Sequence, residues 1–217
     1  MREEALKRRR DYARSLGAEM RNRLEAQLAE HLTDFLTTRT VRAEPVEARS
    51  SRLERPSTSS GLAGMGIENE FNSAEVIAGY HPMRDEISPL PLLEALRDHG
   101  RITALPWFED RDARMIFREN PATEVGPWGV LQPSADAPVA LPNLVFVPLV
   151  LIDRRGTRIG HGKGHYDRAL SHLRQSGPVR TIGICWDIQL SDALIPADPW
   201  DIPLDAIATP TQWIMTQ

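Results

Sequence analysis

The residues best suited to chemistry in this chain are contiguous: Arg158-Ile159-Gly160-His161-Gly162-Lys163-Gly164-His165-Tyr166-Asp167. Three glycines alternate around a lysine, after a run patterned like a buried strand and before one patterned like a helix. Glycine lets the backbone turn at positive φ and approach a ligand without a Cβ in the way. The lysine adds a point charge, and the free N–H groups of a helix start favour anions. An aspartate at the loop's exit suits a hard cation such as Mg²⁺. Together these features predict a site for a triphosphate and its metal. The string matches neither common glycine fingerprint: it lacks the Gly-Lys-Ser/Thr ending of a P-loop, and its G-x-G-x-G spacing differs from G-x-G-x-x-G. On the loop alone, a tight strand-to-helix connection is the competing reading. Lys163 and Asp167, flanked by Arg158 and Tyr166, favour a ligand. His161 and His165 stand in a glycine loop rather than on a helix, and no H-E-x-x-H pattern exists, so a zinc site is rejected.

Such a loop needs a scaffold, and the remaining sequence supplies an alternating α/β rhythm. Residues 76–80 read as a strand and 89–97 as a helix stopped near Gly100. Residues 102–105 and 113–117 read as strands. The apolar run 144–152 reads as one strand buried on both faces. Residues 167–175 read as a helix, 181–185 as a second buried strand, and Ile207-Ala208 as a short last one. Strands separated by helices predict an α/β fold with a mostly parallel sheet covered by helices on both faces. Ligands bind such sheets beyond the strands' carboxyl ends, where the glycine loop falls. At the N-terminus, Leu16, Met20, Leu24, Leu28, Leu32 and Leu36, joined by Phe35, make the apolar stripe of a helix, with a break at Ser15-Leu16-Gly17. The run Arg8-Arg9-Arg10 reads as a solvated helix face unless it folds back over the glycine loop.

Residues 38–73 differ from the rest. They are rich in Pro, Ser, Thr, Arg and Glu with little periodicity, and 55–61 reads as loop or disorder. A long segment of this kind inside a compact domain predicts a disordered insertion, and 41–48 resembles the translated product of repetitive palindromic elements. The chain is otherwise expected to form a single domain over 1–217.

Composition removes several classes of function. With 217 residues and a net charge of −4 there is no nucleic-acid signature, and an RNA-binding adaptor working through the basic N-terminus is disfavoured. A single cysteine, Cys185 in an apolar run, excludes a disulfide framework. No apolar run approaches membrane-spanning length. The charged first residues do not read as a secretory signal, so a cytoplasmic monomer is expected.

The chain resembles the 5-formyltetrahydrofolate cyclo-ligase (5,10-methenyltetrahydrofolate synthetase) family. The likeness rests on Val147-Pro148-Leu149-Val150-Leu151-Ile152-Asp153, Gly156, Arg158-Ile159-Gly160 and Gly162-Lys163-Gly164-His165-Tyr166-Asp167. Weaker matches follow in order at Gly79-Tyr80, Asp85-Glu86-Ile87, Gly126-Pro127-Trp128-Gly129-Val130 with Pro133, and Asp201-Ile202-Pro203-Leu204-Asp205. The resemblance implies a sugar-isomerase-like α/β fold and an enzyme that uses ATP and Mg²⁺ to convert 5-formyltetrahydrofolate to 5,10-methenyltetrahydrofolate, releasing ADP and phosphate. A non-catalytic nucleotide- or folate-binding paralogue on the same fold is the alternative.

The resemblance also implies roles. Lys163, Arg158 and Tyr166 would act in catalysis. Gly160, His161, Gly162, Lys163, Gly164, His165, Tyr166 and Asp167 would surround the nucleotide. A basic side chain of the first helix (Arg2, Lys7 or Arg10, with Lys7 the named candidate) would reach the phosphates. Asp167 would hold Mg²⁺, with Asp201 or Asp205 as a second carboxylate. Glu86, Tyr80, Trp128 and Tyr166 would contact the folate. Structural readings compete for several of these: a helix-start acid for Glu86, core aromatics for Tyr80 and Trp128, turn caps for Asp201 and Asp205. Two positions depart from the family's pattern. His165 stands where a second tyrosine is common, and Leu149 follows Pro148 where glycine is frequent.

Overall fold

The structure, a computed structural model, describes residues 1–37 and 71–216. Helix α1 (Arg2–Thr37) is two helices joined at a kink, where Gly17 has φ 66° and ψ 168°. The break expected at Ser15–Gly17 is therefore present. Beyond it the stripe buries Leu28, Leu32 and Leu36, whereas Met20, next to the kink, is exposed.

The main sheet among the described residues runs β13-β12-β10-β7-β1-β2-β3-β6. Its centre is five parallel strands: β12 (Ala206–Ala208), β10 (Arg180–Ile184), β7 (Leu144–Pro148), β1 (Val76–Ala78) and β2 (Ile102–Trp107). Antiparallel strands finish both edges: β13 (Trp213–Met215) on one side, β3 (Ile116–Glu119) and β6 (Val139–Ala140) on the other. One face packs against the second half of α1 and against α2 (Leu90–Asp98), whose Leu92, Leu93 and Leu96 meet Ile77, Phe146 and Ile182. The opposite face packs against α3 (His165–Leu173), where Ala169, Leu170 and Leu173 meet Val145, Val147 and Ile207. The expected mostly parallel sheet with helices on both faces is what forms. Each of these buried leucines contributes about 2 kcal/mol of transfer free energy.

Two expectations change. The run 144–152 is not one strand. β7 ends at Pro148, and β8 (Leu151–Asp153) joins a separate three-stranded sheet with β9 (Arg158–Ile159) and β11 (Leu190–Ser191). Side chains occupy the carbonyls at the break: Leu149 O accepts from Arg9 Nη1 (3.1 Å) and Gln189 Nε2 (2.7 Å), and Val150 O accepts from Gln189 Nε2 (3.2 Å). These bonds satisfy the buried backbone without a ladder. The strand expected at 113–117 begins at Ile116, because Asp110 Oδ1 takes the N–H groups of Asp112 (2.8 Å) and Ala113 (2.7 Å) and holds that stretch as a turn. A further antiparallel hairpin, β4 (Ala122–Val125) with β5 (Leu131–Pro133), carries Gly126-Pro127-Trp128-Gly129 at its tip.

Residues 38–70 lie outside the described chain. The span expected as an insertion reached 73, but Phe71 is 1% exposed and belongs to the core, so the core resumes by residue 71. The flanks meet. Arg101 Nη2 donates to both Leu36 O (3.4 Å) and Asn72 O (2.9 Å), and the Phe35 and Phe71 rings, 6.2 Å apart, share Trp213.

Candidate functional site

The glycine loop lies between β9 and α3, at the carboxyl end of the central strands, and opens into a cavity of about 1780 Å³. Into the same cavity come the start of α1, the β4–β5 tip, the segment after β1 and the segment 195–203. Arg158, Gly160, His161, Gly162, Lys163, Gly164, His165, Tyr166 and Asp167 all line it, as do Tyr80, Glu86, Trp128 and Asp201. Residues from the start of the chain to Pro203 thus meet around one space.

Lys163 is exposed on the loop, with Arg168 Nη1 donating to its carbonyl (2.9 Å). At Gly162, φ is +87°, a left-handed turn that favours glycine, and the Arg2 guanidinium lies against it, 2.9 Å from where a Cβ would stand. Gly164 caps α3, which places the helix's first N–H groups at the loop. Arg158 is spent locally. Its side chain is 7% exposed, Nη2 pairs with Asp167 Oδ1 at 2.7 Å, and Nη1 donates to Ile202 O at 2.5 Å. The N–H of Ile202 also donates to Asp167 Oδ1 (3.2 Å). Arg158 thus braces Asp167 and clasps the 195–203 segment to the loop.

Beside the loop the wall is aromatic, partly exposed at Trp128 (39%), and includes His165 of the loop itself. Phe108, Trp128 and His165 form a contact trio with centroids 4.6–5.4 Å apart. Gln132 fixes Phe108 by accepting from its N–H (3.2 Å) and donating to its carbonyl (3.1 Å). Tyr80 lines the wall, but its hydroxyl is buried and donates to Ile87 O (2.8 Å). Glu86 is 4% exposed; Oε2 accepts from Met83 N (2.9 Å) and Oε1 faces Arg9 Nη1 at 3.5 Å. Burial raises the Glu86 carboxyl above its ordinary value, against the opposing pull of the Met83 N–H and Arg9. Burial, then Glu86, raises the Tyr166 hydroxyl, which stays protonated. Burial lowers both loop histidines, helped by Arg9 and Arg2 at His161 and by Arg168 and Lys163 at His165. A neutral His161 ring suits the 3.5 Å approach of Arg9 Nη2 to its Nε2.

Because the folded value of Glu86 is raised, the native chain holds that proton to higher pH than the unfolded chain does. Its contribution to stability is full below the unfolded value and is lost as pH rises through the folded one. Lowering pH from about 7 to about 4 is therefore expected to stabilise wild type relative to Glu86→Gln. Thermal melts of the two proteins across that range check this; curves that stay parallel would refute it.

Two sequence expectations are corrected. Lys7 lines a separate small cleft with Glu4, Arg8, Asp11, Tyr12, Ser15 and Ile188. The reason is helical phase: at about 100° per residue Lys7 is rotated about 140° from Arg2, and Arg2 is the side chain that reaches the loop. Asp205 does not line the cavity. Its Oδ2 accepts from Thr181 N (2.8 Å) and Thr181 Oγ1 (2.6 Å), and Oδ1 pairs with Arg180 (3.2 Å), so it clamps β10. Asp201 does line the cavity and caps its own turn through Asp198 N (2.8 Å). Arg9, within the expected solvated run, is 4% exposed and bridges Glu86, Leu149 O and His161. Phe108 and Gln132 carried no sequence signal, since only the β2–β5 approach gives them roles.

The sequence model of the 5-formyltetrahydrofolate cyclo-ligase family matches residues 2–210. The 5-formyltetrahydrofolate cyclo-ligase of Escherichia coli (strain K12) is 31% identical over 147 residues, spanning 64% of this chain and 80% of that protein. The enzyme of the same name from Mycolicibacterium smegmatis is 29% identical over 169 residues, 71% of this chain and 80% of the relative. Among solved structures, Aquifex aeolicus 5,10-methenyltetrahydrofolate synthetase shares the fold with a TM-score of 0.68 at 23% identity, over 100% of this chain and 91% of that one.

Proposed function

This chain belongs to the 5-formyltetrahydrofolate cyclo-ligase family, and on that footing we propose that it converts 5-formyltetrahydrofolate to 5,10-methenyltetrahydrofolate at the expense of ATP. The observation that carries the reading is the joining, in one cavity, of a cationic glycine loop with a buried carboxylate and an aromatic wall. The first half suits a triphosphate and the second a flat heterocycle bearing N–H donors.

A formamide oxygen is a poor leaving group, so ring closure needs that oxygen converted into phosphate. The formyl oxygen attacks the γ-phosphorus and ADP departs. The neighbouring folate nitrogen then attacks the formyl carbon and loses its proton, and the C–O bond breaks with release of phosphate. The second step is intramolecular and gains from high effective molarity. The protein's work is positioning and charge stabilisation. Lys163 and Arg2 neutralise phosphate oxygens, and the loop amides approach them from the backbone side. Glu86 accepts hydrogen bonds from the pterin N–H groups, and Trp128 and Phe108 pack on its rings. Tyr166, kept protonated, donates at the junction between the two substrates. Arg158 holds Asp167 in place.

The donors suit Mg²⁺ of the kind that accompanies phosphates. No cluster of three or more His, Cys, Asp or Glu occurs among the described residues. Asp167 and Asp201 nevertheless line one cavity, and both side-chain contacts of Asp167 fall on Oδ1. One or two carboxylates plus substrate phosphates are the usual ligand set of this ion. Bound there, it would neutralise charge on the transferring phosphoryl group.

The test is an absorbance assay for the methenyl chromophore with 5-formyltetrahydrofolate, ATP and Mg²⁺, beside an ATP-free control. ATP-dependent growth of the chromophore supports the proposal. Folded protein that binds folate or ATP without turnover would replace it with a non-catalytic binding role.

We further propose that residues 38–70 are an insertion this activity does not need, because the flanks at Leu36 and Asn72 meet on one arginine. Replacing 38–70 by a short Gly-Ser linker is expected to leave the melting temperature and chromophore rate unchanged. A loss in either quantity contradicts dispensability.

A further inference from the structure

The segment 195–203 is held at many points. Ile195 N donates to Asp153 Oδ2 (2.9 Å), and its side chain packs with Ala5, Val150 and Leu151. Asp198 and Asp201 close a turn by exchanging two bonds, Asp198 N to Asp201 Oδ2 (2.8 Å) and Asp201 N to Asp198 O (3.0 Å). Ile202 is clasped by Arg158 and Asp167 from both sides. At the tip of this anchored turn stands Trp200, 69% exposed, on the cavity lip. It is the most exposed of the Phe, Tyr and Trp side chains that line the cavity.

The other Phe, Tyr and Trp rings lining the cavity have contacts within the protein. Phe108, Trp128 and His165 contact one another, Tyr80 spends its hydroxyl on Ile87, and Tyr166 packs against the core. Trp200 makes no ring contact among the described residues. It is also placed by chain at the phosphate side, next to Asp201 and two residues from the Ile202 clasp on Asp167. A nucleoside triphosphate with its γ-phosphate directed to the aromatic wall carries its base away from that wall. We propose that Trp200 is the stacking platform for the nucleotide base and selects purine over pyrimidine triphosphates. The assignment rests on the nucleotide reading above and adds the base's location to it. A flat indole face suits a purine because the larger bicyclic ring gains more overlap.

The experiment measures binding of ATP, CTP, inorganic tripolyphosphate and 5-formyltetrahydrofolate by calorimetry, with Mg²⁺ present throughout. It uses full-length wild type, Trp200→Ala and Trp200→Phe. Trp200→Ala should weaken ATP by about 10-fold, the alanine cost of one base–aromatic stack. It should also collapse the ATP preference over CTP and leave tripolyphosphate unchanged, while Trp200→Phe keeps most of the ATP affinity. Equal weakening of ATP and tripolyphosphate would make Trp200 a prop for the turn and overturn the proposal. An unchanged ATP affinity, or a loss confined to the folate, overturns it as well and leaves the nucleotide reading intact. Wild type that binds tripolyphosphate but not ATP, or binds neither, removes both.

Discussion

Lys163→Ala is expected to slow ATP-dependent chromophore formation by about 100- to 1000-fold, the usual cost of removing one preorganised charge from a developing oxyanion. The loss should fall on kcat, because the ammonium meets most negative charge while the phosphoryl group is in transit. Stability should hardly change: Lys163 is exposed on the loop, and it is its backbone carbonyl, not its ammonium, that accepts from Arg168. Thermal melting of the variant separates a missing charge from a missing fold. Lys163→Arg should recover part of the rate, since the charge remains but its shape and hydration differ. A rate within twofold of wild type for Lys163→Ala would remove the loop from the chemistry.

Gly156→Ala is expected to be the most damaging Gly→Ala substitution among the described glycines. Gly156 is buried with φ +83°, and a Cβ there would lie 2.3 Å from Leu204 O and 2.9 Å from Leu204 N. Both atoms are backbone, so no rotamer change relieves the clash. The Leu204 N–H also donates to Gly156 O (3.0 Å), so the contact is where the chain carrying Asp201 and Ile202 returns to the β8–β9 turn. Left-handed strain and overpacking together should lower stability by about 3 kcal/mol, or roughly 6–12 °C in melting temperature for a chain of this size. Separation of these two segments would also loosen Ile202 from Asp167. The surviving folded fraction should then need more Mg²⁺ for half-maximal rate. Melting curves and a Mg²⁺ titration check both parts, and a shift below about 2 °C would mean that the backbone yields more easily than the geometry indicates.

Asp153 shows how the same corner is held by polar bonds. It is 1% exposed, accepts from Arg155 N and Thr157 N through Oδ1 (3.0 Å each), and reaches Ile195 N through Oδ2 (2.9 Å). One carboxylate thus shapes the β8–β9 turn and pins the segment bearing Trp200. Through these bonds the glycine loop, the Asp167–Arg158 pair and the 195–203 segment are one connected unit.

Taken alone, the sequence determined whatever depends on residues close together in the chain. The α/β alternation, the kink at Gly17 and a glycine loop leading into a helix are local features, although the helix begins at His165 rather than Asp167 and the strand before the loop is β9 rather than the run 144–152. Hydrophobic period, the permitted φ of glycine and the charge of a helix start act within a few residues, so order along the chain suffices to read them. Tertiary structure alone decided which members of equivalent-looking sets matter. Arg2 rather than Lys7 meets the loop, because helical phase matters only once α1 is docked. Asp201 rather than Asp205 borders the cavity, because β10 claims the second carboxylate. Arg9 leaves a run of charge to become a buried bridge, and the apolar run 144–152 breaks in two where Arg9 and Gln189 take its carbonyls. In each case the deciding partner lies at least 24 residues away along the chain, and Arg2 and Gly162 are 160 apart, so a polar group is settled by whichever distant donor or acceptor reaches it.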